Sequence, residues 1–298
     1  MSAPTGLSLR QLQALEAVAR TKSFTAAAAE MGVSQPTVSN LVVSAERQTK
    51  LKFLHRQGNL ITPTEHFETI RPKIRALLEL KSEVDLQVSD RSDLRAGPFW
   101  VGYSTYQTAM PCIARFIHAH PKVTLNARSL ASDDLLPLLR NGEIDAAFVT
   151  APEPPEGFHC LQIAACRIGI VTPKDGPFGK VDVLSWSDLE DVRLIQREPQ
   201  AGTRRIFEAA ASRADARIQT VLGLGSWGSI TTLVREGVGH GIGLDVEMTQ
   251  TDADLRFVPI DDDHLKARQY LIAIPTMAQT SSVRLFFDIV RESCAGAK

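Results

Sequence analysis

The chain has 298 residues, 44 % of them hydrophobic and 6 % aromatic, with 33 Lys and Arg balanced by 34 Asp and Glu. This length predicts two or more domains, because single hydrophobic cores usually stop growing near ~250 residues. The formal net charge of −1 excludes a polybasic, histone-like protein, but it is compatible with a nucleic-acid binder whose basic surface lies in one domain.

Three short helices are predicted within the first 50 residues. Ser8 is placed to cap the first, Ser23 caps the second, which ends at Gly32, and Ser34 caps the third, with Pro36 in its first turn. The apolar positions of the first helix repeat every three or four residues, at Leu9, Leu12, Leu15, Val18 and Ala19. Those of the third helix are Val38, Leu41, Val42 and Ala45.

Two helices joined by a turn containing Gly32 are typical of a helix-turn-helix, whose second helix enters the DNA major groove. The alternative is a small helical core with a polar outer face. Two short apolar runs follow around Gln57–Asn59 and predict a hairpin wing, with Arg56 near its tip facing phosphate. The residues that we expect to contact DNA are Ser23, Ser34, Gln35, Pro36, Thr37, Ser39, Asn40, Arg47 and Arg56.

The distribution of charge along the chain supports a DNA-binding N-terminal segment. Residues 1–75 contain ten Lys and Arg against five Glu, so this segment carries +5 and the other 223 residues carry −6. A basic N-terminal segment is suited to the phosphate backbone of DNA, although many solvated helical faces are equally basic.

The order and spacing of these motifs resemble the LysR-type transcriptional regulators. The resemblance is carried by Leu9–Ala19, Ser23–Ala28, Val33–Ser39 and Ile61–Thr64, and it extends more loosely through the whole chain. It implies an α/β protein with an N-terminal winged helix-turn-helix, a dimerising linker helix and a C-terminal, two-lobed effector domain like a periplasmic binding protein. Family members commonly form tetramers through the C-terminal domains, and the resemblance implies the same here.

Several positions depart from the family pattern. Asn40 replaces a usual Arg, Ala45 a usual Leu, Glu65 a usual Gly, and Phe53–Arg56 stands where Leu-Phe-Glu-Arg is usual. The loss of an Arg at position 40 removes one strong phosphate or guanine ligand. We therefore expect affinity to depend more on Gln35, Ser39, Arg47 and Arg56.

A long linker helix is predicted from Thr64 to about Val88. It would be ~37 Å long at 1.5 Å per residue. Its apolar stripe comprises Phe67, Ile70, Ile74, Leu77, Leu78, Val84 and Leu86. We expect this stripe to pair with a second copy of the chain, the alternative being a helix packed on its own domain. The polar segment Ser89–Pro98 predicts the domain boundary, giving domains at 1–63, 64–97 and 98–298.

The C-terminal part alternates between strands and helices. Strands are predicted at 99–103, 123–127 and 144–149, with a helix after Ser104–Gln107 and another after Ser132, expected to cap it. A second alternation runs from Ile168 to Leu244, with a helix from Gly202 to Arg213, and a returning strand is predicted at 270–274. This order predicts two doubly wound lobes, at about 98–163 with 267–298 and at about 164–266, separated by a ligand-binding cleft.

The cleft residues are expected in the first turn after each strand. These candidates are Ser104, Thr105, Tyr106, Ser132, Thr150, Gln200, Gly202, Thr203 and Ser226. Each hydroxyl could alternatively serve only as a helix cap. Arg204 or Arg205 could neutralise a carboxylate or could lie on the surface, so the sequence favours a small polar, anionic effector.

Gly223–Gly228 fits a dinucleotide-binding pattern, Gly-x-Gly-x-x-Gly, and Asp245 lies 22 residues beyond its first glycine. We disfavour this alternative, a cytoplasmic small-molecule or dinucleotide-binding protein with a helical head, because the motif lies late in the domain. No Gly-x-Ser-x-Gly pattern surrounds Ser226, and Cys112 and His118 lie on different faces of one helix. We therefore predict no enzymatic activity.

Targeting, metal and disulfide signals do not stand out. No run of about 18 apolar residues occurs, and the N-terminus lacks a signal-peptide pattern, so we expect a cytoplasmic protein without a membrane partner. The four cysteines, Cys112, Cys160, Cys166 and Cys294, form no Cys-x-x-Cys pair. We expect no metal site, no cofactor beyond the effector and inert, buried thiols. The expected partners are double-stranded DNA with dyad symmetry, the effector, further copies of the chain and, for an activator, RNA polymerase.

Overall fold

The computed structural model describes residues 6–57, 60–88 and 98–295. The tip of the predicted hairpin and the predicted boundary segment 89–97 lie outside these residues. The helices are α1 (Leu9–Thr21), α2 (Phe24–Met31), α3 (Gln35–Thr49), α4 (Glu65–Val88), α5 (Tyr106–Ala119), α6 (Ser132–Arg140), α7 (Gly202–Arg213), α8 (Trp227–Arg235) and α9 (Ser281–Ala295). The strands are β1 (Leu54–Gln57), β2 (Leu60–Pro63), β3 (Phe99–Tyr103), β4 (Leu125–Ser129), β5 (Ala146–Ala151), β6 (His159–Pro173), β7 (Arg193–Arg197), β8 (Gln219–Leu224), β9 (His240–Leu244), β10 (Leu255–Pro259) and β11 (Lys266–Ala273).

The helix caps of the N-terminal domain, residues 6–63, are confirmed. Ser8 forms a capping box with Gln11, the Ser23 hydroxyl accepts from the backbone N–H of Ala26, and the Ser34 hydroxyl accepts from that of Thr37. Gly32 ends α2 at φ +63°, a conformation that residues with a Cβ adopt at a cost. Local hydrogen-bonding chemistry therefore determines where these helices begin and end.

The three helices pack around one apolar core, and β1 pairs antiparallel with β2 beside it. Leu15, Val18, Val38, Val42 and Ala45 are almost completely buried. Leu9 begins α1 as predicted, but its side chain is 41 % exposed, and the apolar face of α1 is buried from Leu12 onwards.

The linker helix α4 spans 24 residues, beginning at Glu65, one residue after the predicted start, and ending at Val88. Its apolar stripe is divided between two environments, which corrects the prediction that the whole stripe pairs with another copy. Phe67 and Ile74 are buried in the N-terminal core, with Ile70 and Leu78 packed against it, because α1 lies along this half of α4. Leu77, Leu80 and Val84 remain exposed by 46 %, 42 % and 57 %.

The C-terminal domain contains a continuous nine-stranded sheet in the order β4-β3-β5-β11-β6-β9-β7-β8, with β10 also paired to β6. The strands β3, β4 and β5 are parallel, as are β7, β8 and β9, whereas β11 and β6 run antiparallel to their neighbours. We call the β3–β4–β5 half with α5, α6 and α9 lobe one, and the β7–β10 half with α7 and α8 lobe two. The second predicted alternation begins at Ile168, which lies within the 15-residue β6, and this strand runs through both lobes.

Each lobe has helices on both faces of its sheet. In lobe one, α5 and α9 cover one face around Phe148 and Phe286, while α6 covers the other through Leu135 and Leu139. In lobe two, α7 packs around Phe207 on one face, and α8 packs around Ile230 on the other. None of the described helices combines the length and apolarity needed to cross a membrane.

Candidate functional site

The first candidate surface is the outer face of α3. Gln35, Pro36, Thr37, Asn40 and Arg47 are exposed. This exposure leaves amide, hydroxyl and guanidinium groups available for base edges and phosphates. Asn40, the position where the family usually has Arg, shares this face.

Three predicted DNA-contact serines are more constrained. Ser39 is half-buried. The Ser34 hydroxyl lies 2.8 Å from the Thr37 hydroxyl and accepts from the Thr37 backbone N–H, while the Ser23 hydroxyl caps α2. Ser23 and Ser34 therefore orient the helices in addition to any contact with phosphate.

Arg56 lies on the exposed side of β1, opposite Ile61. Its guanidinium carbon lies 4.1 Å from the centroid of the Phe24 ring in α2, a cation–π contact that joins the wing to the helix-turn-helix. Within the described part of the chain, neither Arg47 nor Arg56 forms an ion pair with a carboxylate. Both cations are therefore available to a polyanion.

The second candidate site lies between the two lobes, where predicted residues from several strands meet. Gln269 of β11 is 1 % exposed, and its Nε2 donates to the hydroxyls of Thr105 at 2.9 Å and Thr150 at 3.1 Å. The Ser132 hydroxyl accepts from the Thr150 backbone N–H at 3.0 Å. The prediction that Ser132 caps its helix is wrong, because Ala131 occupies the N-cap and the Ser132 hydroxyl turns towards β5.

Arg197, at the carboxyl end of β7, connects lobe two with lobe one. Its Nη1 donates to the Glu247 carboxylate at 3.1 Å, and its Nη2 donates to the carbonyl oxygens of Ser104 and Gly225, each at 3.2 Å. Burial raises the pKa of Glu247, while the Arg197 charge and a hydrogen bond from the Leu244 N–H oppose this shift. Arg197 is thus a buried cation at the centre of the cleft, neutralised by one carboxylate.

Several buried polar atoms here have no hydrogen-bond partner within the described residues. They are Ser104 Oγ, Gln107 Oε1, Arg197 Nε and Gln269 Oε1. Leaving such a group buried and unpaired costs roughly 1–3 kcal/mol, so in native structures it is paired with protein, ordered water or a bound ligand. The set offers both donors and acceptors to a small polar molecule.

The start of α7 closes on this region from lobe two. A Cβ at Gly202 would lie 2.0 Å from the Thr150 carbonyl oxygen, so only glycine permits this approach. The Gln200 carbonyl accepts from the Asp133 backbone N–H at 3.3 Å, and Thr203 is 4 % exposed. The structure therefore brings Gln200, Gly202 and Thr203 next to Ser132 and Thr150.

A cavity of about 260 Å³ opens beside these contacts, lined by Ser132, Thr150, Arg140, Arg205 and Glu153 among others. Arg205 forms an ion pair with Asp133 across the mouth at 2.6 Å. The neighbouring Arg204 donates to the Glu208 carboxylate at 2.8 Å and to the Arg197 carbonyl oxygen at 3.1 Å. Both arginines considered from sequence are thus already paired.

Two further predicted residues lie at the edge of the cleft. Tyr106 is 43 % exposed, and partial burial raises the pKa of its hydroxyl, with the carboxylates of Asp252 and Glu247 acting in the same direction. Ser226 is exposed at the N-cap of α8 and makes no side-chain capping bond.

Sequence reasoning missed Arg197, Gln269 and Glu247. Arg197 had a usable signal, since it follows the buried run Leu194–Gln196 at a strand end, where ligand groups cluster in α/β folds. Glu247 and Gln269 lie 50 and 164 residues from their partners Arg197 and Thr105. Nothing local indicates those pairings.

The glycine motif is poorly suited to a dinucleotide. It does lie between β8 and α8, as the alternative requires. However, a Cβ at Gly225 would lie 2.7 Å from the Glu198 carboxylate and one at Gly223 would lie 2.9 Å from Arg204 Nη1. The space that the glycines leave open is filled by this chain's own side chains, and a carboxylate there would repel a pyrophosphate.

The cysteines are in environments that disfavour the thiolate. Burial raises the pKa of Cys112 to about 11 and, aided by nearby carboxylates, that of Cys166 to about 12. Burial also raises the pKa values of Cys160 and Cys294. Among the described residues, no group of three or more His, Cys, Asp or Glu side chains is arranged to hold a metal ion.

Comparison with known proteins identifies both parts of the chain. Residues 9–66 match the bacterial regulatory helix-turn-helix protein, lysR family, and residues 96–295 match the LysR substrate binding domain. A probable RuBisCO transcriptional regulator of Guillardia theta is 26 % identical over 290 residues, covering 93 % of each chain.

Solved structures share the fold. A full-length OxyR variant from Pseudomonas aeruginosa superposes with a TM-score of 0.78 at 18 % identity, covering 96 % of this chain and 98 % of that one. Full-length CbnR in complex with its target DNA gives a TM-score of 0.56 at 20 % identity, covering 96 % and 99 %.

Proposed function

The chain belongs to the LysR family of transcriptional regulators, and we propose that it is a sequence-specific DNA-binding regulator switched by a small anionic effector bound between its two lobes. On this proposal α3 enters the major groove of a dyad-symmetric site, with Gln35, Ser39 and Asn40 near base edges. Arg47 and the wing residue Arg56 contact phosphate. CbnR, which has the same fold, is solved with its target DNA, and this supports assigning the same role to α3.

The observation that carries the effector site is the set of unpartnered buried polar atoms around Arg197. Among the described residues, the Arg197 Nε–H is a charged donor without an acceptor, and no side chain caps the first turn of α7, so its backbone N–H groups are also open to an anion. A carboxylate or phosphate group would satisfy these donors, while Ser104 and Gln269 would bind a neighbouring hydroxyl or amide.

Linker helices would pair two copies of the chain through Leu77, Leu80 and Val84, and the C-terminal domains would join dimers into a tetramer. An activating member would in addition contact RNA polymerase. Since the protein acts on DNA, we place it in the cytoplasm. Effector binding can shift the arrangement of the DNA-binding domains only if the effector prefers one arrangement over the other.

The effector site is tested by a thermal-shift screen of small carboxylates, amino acids and phosphorylated metabolites. A compound that raises the melting temperature of the natural protein should lose most of this effect with Ser104→Ala or Gln269→Leu. Ser212→Ala, at the exposed far end of α7, is the matched control and should respond normally. Equal shifts in melting temperature for the natural protein and all three variants would show that the compound binds elsewhere than between the lobes.

DNA binding is tested separately by footprinting on the DNA upstream of the protein's own gene. Protection of two half-sites with dyad symmetry is the expected result. Failure to protect any site at low salt, where phosphate contacts are strongest, would contradict the regulatory proposal.

A further inference from the structure

One structural unit contacts both the cleft and the linker helix. It comprises α6, the turn Asn141–Asp145 and β5, and we call it the α6–β5 unit, residues 132–151. At its cleft end Ser132 and Thr150 are joined by the 3.0 Å hydrogen bond described above. At its other end the turn lies against α4.

The interior of the α6–β5 unit is tightly packed. Leu135, Leu139, Ile144, Ala147 and Val149 form one cluster, each at most 1 % exposed. The turn is bonded back to the helix, since the N–H of Gly142 donates to the Leu139 carbonyl at 3.0 Å and that of Glu143 donates to the Leu138 carbonyl at 2.8 Å. Close-packed interiors of this kind resist deformation, so a displacement at one end carries to the other.

Lobe two touches the cleft end directly. Gly202 lies directly against the Thr150 carbonyl. The Asp133 N–H donates to the Gln200 carbonyl, and the Asp133 carboxylate forms an ion pair with Arg205. Any change in the separation of the lobes therefore acts on the start of α6 and the end of β5.

The linker helix holds the opposite end. Arg71 Nη1 donates to the Asn141 carbonyl at 3.4 Å, and Arg75 donates to the Gly142 carbonyl and to the buried Asp145 carboxylate. Gly142 has φ +64°, and a Cβ there would lie 3.3 Å from Arg75 Cδ and 3.6 Å from the Pro72 nitrogen.

The same arginines reach the N-terminal domain. Arg71 donates to both Glu16 carboxylate oxygens, at 2.8 and 3.2 Å, so α1 is tied to the same junction. A second contact fixes α4 farther along, where the Ser281 N–H donates to the Glu83 carboxylate at 2.7 Å.

Space for a second arrangement exists at this junction. A cavity of about 190 Å³ lies beside the Arg75–Asp145 pair, lined by Glu16, Glu79 and Ser282 among others. This cavity leaves α4 less closely packed here than the α6–β5 unit is internally.

We propose that the α6–β5 unit carries movements of lobe two to the DNA-binding domain of the same chain, with Arg75 as the residue that positions α4 on it. The proposal rests on the effector site being the cleft, because closure of the lobes is then the event that moves the unit. It assigns the coupling to contacts within one chain, in addition to any rearrangement between copies.

The test uses Gly202→Ala as a wedge between the lobes. We expect the full-length variant to show faster amide hydrogen exchange, by roughly threefold or more, in peptides covering 141–145 and 280–284. Gly239→Ala is the matched control, because its Cβ would lie 2.5 Å from a backbone oxygen, that of Arg193, but within lobe two. It should leave both peptides unchanged.

Exchange changes confined to the lobe contacts in Gly202→Ala would overturn the proposal. If that variant does not fold, Arg205→Ala, which removes the Asp133 ion pair, replaces it with a smaller expected effect. This measurement needs neither effector nor DNA, so its failure is distinct from failure of the thermal-shift or footprinting tests.

A second measurement isolates Arg75. Gly202→Ala should change the affinity for the footprinted DNA in the natural background but not in an Arg75→Gln background. Arg75→Lys, which keeps the charge but reaches fewer acceptors, should retain part of the effect. A purely structural role for Arg75 would lower stability without removing the response to the wedge.

Discussion

Arg75 of α4 forms an ion pair with Asp145, the residue directly before β5, inside the interface between the linker helix and lobe one. The two side chains are 14 % and 4 % exposed. Burial raises the pKa of Asp145, and Arg75 together with the Trp100 N–H opposes this shift. The pair therefore fixes the junction only while both partners are present.

Substituting Arg75 should destabilise the protein more than substituting Asp145. Arg75→Met would leave the Asp145 charge buried without its cation, at a cost of roughly 3–5 kcal/mol. Asp145→Asn should cost less, because Arg75 lies 3.8 Å from Glu16 and keeps its bond to the Gly142 carbonyl. Urea unfolding of both variants measures the difference, with the exposed Arg291→Met as the control that changes stability little. Equal losses from the two substitutions would contradict this asymmetry.

Glu79 gives the junction a pH dependence. Burial raises its pKa, with Asp145 and Glu83 adding to the shift and Ser282 and Arg75 opposing it. The folded protein thus holds this proton more tightly than the unfolded chain, and the resulting stability is lost as pH rises from 4.5, the ordinary value, through the raised pKa.

Glu79→Gln should therefore melt at a higher temperature than the natural protein near neutral pH. The difference should shrink as the pH approaches the ordinary Glu value, where the natural side chain is itself protonated in both states. Melting curves across this range measure it, and the exposed Glu292→Gln is the control. A constant difference at every pH would show that the pKa shift is not its cause.

The thiols should react slowly in the folded protein. With a pKa of about 11, Cys112 is thiolate in only about one molecule in a thousand at pH 8. Iodoacetamide labelling followed by mass spectrometry should modify Cys112 and Cys166 far more slowly than after unfolding in urea. Rapid sulfenic acid formation at any of the four cysteines under peroxide would instead indicate a redox sensor.

The exposed part of the apolar stripe on α4 should control assembly of the chain into dimers. Leu77, Leu80 and Val84 follow the three- and four-residue spacing of a coiled-coil stripe. Leu80→Glu should lower the molecular mass measured by size-exclusion chromatography with light scattering, because a buried glutamate would disfavour pairing. Val183→Glu, at a 51 % exposed site in lobe two, should leave the mass unchanged. An unaltered mass for Leu80→Glu would place the dimer interface elsewhere.

Local chemistry made much of the fold predictable. The caps Ser8, Ser23 and Ser34 follow from residues within one helical turn, and the structure confirms them. The predicted bounds of α7 are also confirmed, although no side-chain cap marks its start. The full length of β6 was not predictable, because its first half pairs with β11 and only its second half is continuously buried.

Long-range pairing limited the prediction of the cleft. The short polar residues that follow strands could be identified from the sequence. Arg197 could not, because its position in the cleft depends on hydrogen bonds to Glu247 and to the Ser104 carbonyl, which come together only on folding. The linker stripe shows a related limit. Periodicity indicates that one face of α4 is apolar. It does not indicate which of these residues pack on the chain's own core, as Phe67 does, and which remain exposed, as Leu80 does.

The DNA-binding surface makes a prediction in which salt dependence separates two kinds of contact. Arg47→Ala and Arg56→Ala should each weaken binding to all sequences alike and reduce the slope of log affinity against log salt by ~0.9, because each removes one phosphate contact. Gln35→Ala should instead leave the slope unchanged and lower discrimination at one base pair by roughly 1–3 kcal/mol. Arg291→Ala, an exposed cation on α9, is the control for net charge. Fluorescence anisotropy at several salt concentrations measures both quantities, and a reduced slope for Gln35→Ala would show that α3 contacts the backbone there and not a base.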